Sequence, residues 1–158
     1  MIRKAELRDL PSLIEIITDD DLGKGRESSR CSSRAHLIAF ENIVHDPNAS
    51  LMVVELDGRV VGTLQMNYVR YLTFEGGKIA LVENVFVLSA MRGQKIGEQM
   101  IHWAIEEARR QGCHRVQLTS HKTRDAAHRF YRRAGFEATH EGMKLYLLKS
   151  NTDTTSSK

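Results

Sequence analysis

Two apolar runs rich in β-branched residues, 51–56 (LMVVEL) and 59–64 (RVVGTL), are separated only by Asp57-Gly58. Asp-Gly suits the two-residue turn whose twist matches antiparallel strands, because both of its residues tolerate a positive φ. A chain with this hairpin is committed to a sheet, and a lone hairpin is marginal in water, so other elements must cover it. The flanks offer them. Ile2–Glu6 predicts a short first strand, and Leu10–Ile17 a helix, with Pro11 in a first turn where its missing N–H costs nothing. A second helix is expected from about Arg34 to His45, stopping before Pro47. Gly76-Gly77 marks a further turn ahead of the strand Lys78–Val87.

Met100, Ile101, Ala104, Ile105 and Ala108 fall on one stripe of a helix from Gly97 to Arg110, and Gly112 is placed to end it in a left-handed residue. A strand Arg115–Ser120 follows. A helix of about Arg124–Ala134 then turns Ala127, Phe130, Tyr131 and Ala134 inward and stops at Gly135. Phe136–Thr139 and Met143–Leu148 read as closing strands. The sum is an α+β (α/β) domain over residues 1–149: a central mixed, largely antiparallel sheet flanked by about four helices. The polar residues 150–158 (SNTDTTSSK) read as a frayed tail.

Composition narrows the function classes. With 41% hydrophobic and 27% charged residues the chain is an ordinary globular one, neither disordered nor fibrous. No stretch approaches the ~18 apolar residues of a membrane span, and Met1-Ile2-Arg3-Lys4 leads into no secretory core, so a cytoplasmic protein is expected. Cys31 and Cys113 lie far apart without metal-ligand spacing, and the histidines are scattered, so neither a disulfide nor a metal is expected. A net charge of +3 is too small to define a nucleic-acid protein, and the pairs Arg109-Arg110 and Arg132-Arg133 lack interleaved aromatics. Residues Gly23 to Arg34 (GKGRESSRCSSR) form either a surface loop or a lid over a pocket.

The stretch from Val82 to Gly97 is a strand, a turn with Arg and Gly, and a helix start. Free amides at a helix N-terminus carry partial positive charge and capture phosphates. The turn is neither a Walker A loop nor a G-x-G-x-x-G fingerprint. Arg92-Gly93-Gln94-Lys95-Ile96-Gly97 resembles the [QR]-x-x-G-x-[GA] pyrophosphate loop of the GNAT superfamily of acetyl-CoA-dependent N-acetyltransferases. Some thirty residues on, Ala127-His128-Arg129-Phe130-Tyr131-Arg132-Arg133-Ala134-Gly135-Phe136 is similar to that family's A-x-x-F-Y-x-x-x-G-F signature. Both occur in the family's order with a strand between them, and the resemblance is strong over roughly Gly77–Phe136.

The resemblance implies direct attack of an amine on the thioester of acetyl-CoA, with no covalent enzyme intermediate. It implies Tyr131 as the acid protonating the CoA sulfur and Glu83 as the base, acting through water. It also implies that Val85, Phe86 and Val87 lend backbone groups to the pantetheine arm, with a backbone N–H near Val85 facing the oxyanion. Amides of Arg92, Gly93, Gln94, Lys95, Ile96, Gly97 and Glu98 would cradle the diphosphate, with Phe130 and Arg124 as further cofactor contacts. Strand alternation puts Glu83 on one face with Val85 and Val87, away from Asn84 and Phe86. Lys95 stands where the family usually has Gly, and an ordinary helical-turn backbone is expected there, its ammonium free to approach a phosphate. Arg124 stands where the family often has Asn.

Other residues keep two readings. His128 is a surface histidine or a substrate contact, and Asp19-Asp20-Asp21 a solvated helix end or a lure for a cationic amine. The leading expectation is an N-acetyltransferase for a small primary amine, similar to aminoalkylphosphonate or glucosamine-phosphate acetyltransferases. A protein N-terminus or lysine acetyltransferase and a non-catalytic acyl-CoA sensor are the alternatives. The oligomeric state is left open, a homodimer being the commonest assembly.

Overall fold

A computed structural model describes residues 1–20 and 33–147. Its strands β1 (Ile2–Lys4), β2 (Ala49–Leu56), β3 (Arg59–Arg70), β4 (Lys78–Val87) and β5 (Arg115–Leu118) form one sheet in that spatial order. The first three pairings are antiparallel and β4 with β5 is parallel. The helices are α1 (Leu10–Asp19), α2 (Arg34–His45), a short turn α3 (Thr73–Gly76), α4 (Ile96–Arg110) and α5 (Asp125–Arg133). The fold is thus a mixed, largely antiparallel sheet flanked by helices.

The hairpin turns as its sequence requires, Asp57 at φ 49° and Gly58 at φ 76°. Parallel strands cannot be joined by a tight turn, and α4 supplies the crossover from β4 to β5. Val60 to Leu64 are buried without a break, so both faces of β3 are covered. Val53, Met66, Ile79 and Met100 are fully enclosed. Close packing of α4 depends on Gly62, where a Cβ would meet Met100 Sδ at 3.1 Å and the Phe86 carbonyl oxygen at 3.2 Å. At the other end of the chain Arg3 grips Asp9 with both terminal nitrogens, at 2.6 and 2.9 Å, and reaches Glu55 at 2.7 Å. Asp9 also accepts from the Glu6 amide at 2.8 Å, which fixes the approach to α1.

Six expectations need correction or fall outside the described residues. Phe136–Thr139 and Met143–Leu148 do not close the sheet: over the described residues 136–147 no strand forms, and Met143, Leu145, Tyr146 and Leu147 are 80–92% exposed. Period-2 alternation marks a chain able to pair; it does not name the edge that receives it. The first and fifth strands are shorter than expected, ending at Lys4 and Leu118. Residues 23–32 of the loop or lid, and the tail 150–158, lie outside the described residues; Arg34 itself opens α2, behind a Ser33 cap that accepts from the His36 amide at 3.3 Å.

Candidate functional site

The ladder between β4 and β5 ends at Val82 and Leu118, yet β4 runs on to Val87. Among the described residues, 83–87 therefore pair on the β3 side alone and present an open edge, the requirement for a ligand that adds itself as a strand. On the β3 side the register slips: Glu83 faces Gln65, but Phe86 faces Thr63. Asn84 and Val85 together oppose the single residue Leu64, a β-bulge, with Asn84 at φ 53°.

The bulge overturns the simple alternation. Glu83 shares its face with Phe86, through Gln65 and Thr63, whereas Val87 lies with Gly62 on the opposite face. The extra residue breaks the period of two, and Asn is the residue other than Gly that most readily takes a left-handed backbone. An Asn inside an apolar strand was the signal available in the sequence.

Beyond β4 the chain makes a turn of 3₁₀ helix at Ser89–Met91, extends at Arg92 and enters α4 at Lys95. Gly93 has φ 83° and Lys95 φ 61°, ψ 12°, so Lys95 is left-handed rather than in the ordinary helical turn expected of it. This conformation costs a residue with a Cβ about 1–2 kcal/mol. Among the described residues no side chain caps α4 at Lys95, so the amides of Ile96, Gly97 and Glu98 stand at a bare helix start. Left-handed turns leading into uncapped amides form a concave anion cradle. Ile96 is buried and holds the first turn to the core. Gly97 abuts Phe130, whose Cζ lies 3.8 Å from where a Cβ would stand. Gln94 is exposed and turns its amide toward Met91 Sδ at 3.8 Å.

Two arginines flank this cradle and share one carboxylate. Arg92 Nη2 lies 3.5 Å and Arg124 Nη2 3.4 Å from Asp20 Oδ1, with Asp20 8% exposed. Arg92 Nε also donates to the Val87 carbonyl at 3.3 Å. Asp19 accepts from the Ser89 amide at 2.5 Å and from its hydroxyl at 3.2 Å. Asp19 and Asp20 are therefore not a solvated helix end: they bind the C-terminus of α1 to the β4–α4 loop and to the start of α5. Asp21 lies outside the described residues.

Arg124 opens α5, on which Ala127, Phe130 and Tyr131 are half-buried while Arg132 and Arg133 face water. Tyr131 packs edge-on between Phe130 and Phe136, at 5.0 and 5.9 Å between ring centres. Burial raises the Tyr131 hydroxyl above the ordinary phenol range; the charge of Arg124 draws it back and that of Glu83 raises it further. The phenol thus stays protonated throughout the neutral range, and Glu83 and Arg124 lie within its electrostatic reach. Glu83 and Tyr131 are both half-buried. His128 is half-buried on the same helix.

A hollow of about 130 Å³ between α4 and α5 is lined by Glu98, His102, Phe130, Arg133 and Ala134. No sequence signal pointed to His102, while Asp20 stood in an acidic run and Arg133 in an unassigned position of the second motif. Cys113 is a free, half-buried thiol whose pKa burial raises, which suits a packing role. No cluster of His, Cys, Asp or Glu among the described residues could hold a metal, and none of the described helices is long and apolar enough to cross a membrane.

A family model, the Acetyltransferase (GNAT) family, matches residues 10–136. The chain is similar to the aminoalkylphosphonate N-acetyltransferase of Salmonella typhimurium, 37% identical over 95 residues; the match covers 60% of this chain and 61% of that relative, about three fifths of its length. Among solved structures it is similar to a transcriptional regulator from Bacillus halodurans C-125, at 41% identity and a TM-score of 0.89 over 92% of this chain and 98% of that one. Glucosamine-6-phosphate N-acetyltransferase from Arabidopsis thaliana shares the fold, with a TM-score of 0.77 at 22% identity over 93% and 97% of the two chains.

Proposed function

This chain belongs to the acetyltransferase (GNAT) family, and we propose that it transfers the acetyl group of acetyl-CoA to the primary amine of a small molecule, with Glu83 and Tyr131 as the proton-transfer pair. One observation carries the reading: the open edge of β4 at residues 83–87 ends against the uncapped start of α4. That is the shape required by a substrate with an amide-bearing arm at one end and a diphosphate at the other. Val85, Phe86 and Val87 offer backbone groups to the arm, although the Val87 carbonyl already accepts from Arg92. Amides from Gly93 to Glu98 meet the diphosphate, with Arg92, Lys95 and Arg124 supplying positive charge. Arg133, beside Phe130 in the α4–α5 hollow, extends that charge along the nucleotide, and His102 offers a ring nitrogen in the same hollow.

The chemistry follows from two proton problems. An alkylammonium with a pKa of about 10.4 is neutral in roughly one molecule in two thousand at pH 7, so a base must take its proton before the nitrogen lone pair can attack. Glu83 does this through water. The amine then bonds to the thioester carbon, and the C–S bond breaks as the departing sulfur takes a proton from the Tyr131 hydroxyl. The nitrogen's remaining surplus proton, lost as the amide forms, returns through water to the Tyr131 oxygen. The buried phenol, kept protonated at neutral pH, suits that donation. The carbonyl oxygen carries negative charge in between, and the irregular backbone at Asn84–Val85, which lacks a one-to-one partner on β3, supplies an N–H for it.

The small-molecule reading draws on the aminoalkylphosphonate enzyme among the relatives. Its test is a panel of amines, from aminoalkylphosphonates and amino sugar phosphates to a lysine peptide, incubated with acetyl-CoA while free thiol is titrated. Thiol released only with small amines supports it. Release with the peptide alone assigns a protein substrate, and binding of acetyl-CoA with no release for any amine assigns a sensor.

A further inference from the structure

On the reading that the chain acetylates a small primary amine, we propose that Gln65 and Asn67 select that amine. Gln65 accepts from its ammonium alongside Glu83, and Asn67 donates to an oxygen that the acceptor carries farther along β3. From Leu64 to Val69 strand β3 alternates between buried and half-buried residues. Leu64, Met66 and Tyr68 are buried, and the charges of Glu107 and Arg110 on α4 reach the Tyr68 hydroxyl, so α4 covers that face. Gln65, Asn67 and Val69 point to the other face and are half-buried. There Gln65 stands opposite Leu51 of β2 and Glu83 of β4, and Asn67 stands opposite Leu81. Leu51, Leu81 and Glu83 are half-buried as well, so the five residues form one continuous floor.

The two amides are joined, and the sense of the joint fixes what each can offer. Gln65 Nε2 donates to Asn67 Oδ1 at 3.0 Å. Gln65 thereby keeps its Oε1 as an acceptor, and Asn67 keeps its NH2 group as a donor. Among the described residues neither has a further hydrogen-bond partner, and no hydrogen bond or ion pair engages the Glu83 carboxylate. The acceptors of Gln65 and Glu83 lie in one row across β3 and β4, which suits an ammonium with its three N–H donors. The Asn67 donor lies two residues on, about 7 Å along the strand. Leu51 and Leu81 flank the pair and offer apolar surface to the carbons between.

The floor also sets the direction of the acceptor. β3 runs antiparallel to β4, so the step from Gln65 to Asn67 leads toward Leu81, away from Val87 and the helix start beyond it. An amine held at Glu83 thus meets the thioester with its tail pointing away from the diphosphate. A tail that ends in carbon leaves the Asn67 donor unpaired, and an oxygen there satisfies it. One net hydrogen bond on a half-exposed floor changes the rate up to about tenfold.

The test compares kcat/KM, with acetyl-CoA as donor, for pentylamine, ω-aminobutanol, γ-aminobutyrate and γ-aminopropylphosphonate. The first two differ only in a methyl against a hydroxyl at the same distance from the nitrogen. The alcohol or an anion should exceed pentylamine about tenfold, and whichever does names the oxygen as neutral or charged. Asn67→Leu should bring that ratio to about one, whereas a purely structural role for Asn67 would lower all of the amines together. Gln65→Met should raise the KM of every amine and leave the acetyl-CoA KM in place. Equal rates for the parent chain on every amine overturn the proposal, as does a ratio that survives Asn67→Leu or an amine KM indifferent to Gln65→Met. Acetyl-CoA that binds but releases no thiol with any amine overturns the amine reading itself, and this proposal with it.

Discussion

Lys95 is the residue at which the strain of the loop can be weighed against its charge. Its backbone sits at φ 61°, ψ 12°, and no hydrogen bond or ion pair holds its side chain among the described residues. Lys95→Gly removes a left-handed penalty of about 1–2 kcal/mol. Glycine's extra freedom in the unfolded chain returns about 0.5–1 kcal/mol of that. The net gain is about 0.5–1 kcal/mol, or ~1–4 °C in Tm for a domain of this length. Lys95→Ala keeps the backbone demand and loses the same ammonium, so its Tm should stay near that of the parent. Both substitutions delete an exposed charge worth ~0.2–1 kcal/mol to a phosphate, so both should weaken acetyl-CoA binding by the same factor, at most about fivefold. Thermal melts with and without acetyl-CoA, paired with calorimetric titration, measure both quantities. A Lys95→Gly chain no more stable than Lys95→Ala would refute the strain argument. Unchanged affinity in both would remove the ammonium from the diphosphate.

Tyr131→Phe should cut kcat by ~10²–10⁴ and leave acetyl-CoA affinity nearly untouched, since the ring keeps its edge-on contacts with Phe130 and Phe136; equal losses in both would make Tyr131 a packing residue. Gly97→Asp has room, with Phe130 Cζ at 3.8 Å, and an acid in the first turn of α4 favours the helix by ~0.3–1 kcal/mol. Acetyl-CoA affinity should nonetheless fall about tenfold from like-charge repulsion, and unaltered binding would displace the diphosphate from this loop. Asp9 is held below its ordinary value, chiefly by hydrogen bonds from Arg3. It therefore contributes stability above about pH 4 that is lost as pH falls through its lower folded pKa. Asp9→Asn should cost ~2–3 kcal/mol at pH 7 and flatten the acid limb in urea melts; a limb as steep as the parent's would clear Asp9 of that role.

The elements whose signals are local were legible in the sequence. The hairpin at Asp57-Gly58, the helix from Arg34 to His45 and the strand Lys78–Val87 all stand where turn chemistry and periodicity put them. The site was legible in its residue types and order, because the loop and the Phe130-Tyr131 pair are contiguous motifs. Its geometry was less so. Asn84 inserts one residue into β4 and turns Phe86 to the side of Glu83, which alternation counts cannot anticipate. Asp20 joins Arg92 and Arg124 across intervals of 72 and 104 residues, and nothing local to any of the three announces the pairing. The missing closing strands fail for a related reason: pairing is a property of two segments, and a sequence pattern describes one.

Gly62 ties the depth of the core to the rim of the cleft. The gap beside it is narrower than a methyl group needs, so the spacing between α4 and the sheet depends on an absent carbon. Neighbouring Val61 holds the Leu88 amide at 3.0 Å, where the chain leaves β4 for the helix. One extra carbon at position 62 would lift Met100 and tilt the amides at the head of the same helix. With the diphosphate proposed at that helix start, an uncharged change in the interior would be felt as a loss of grip on a charged ligand.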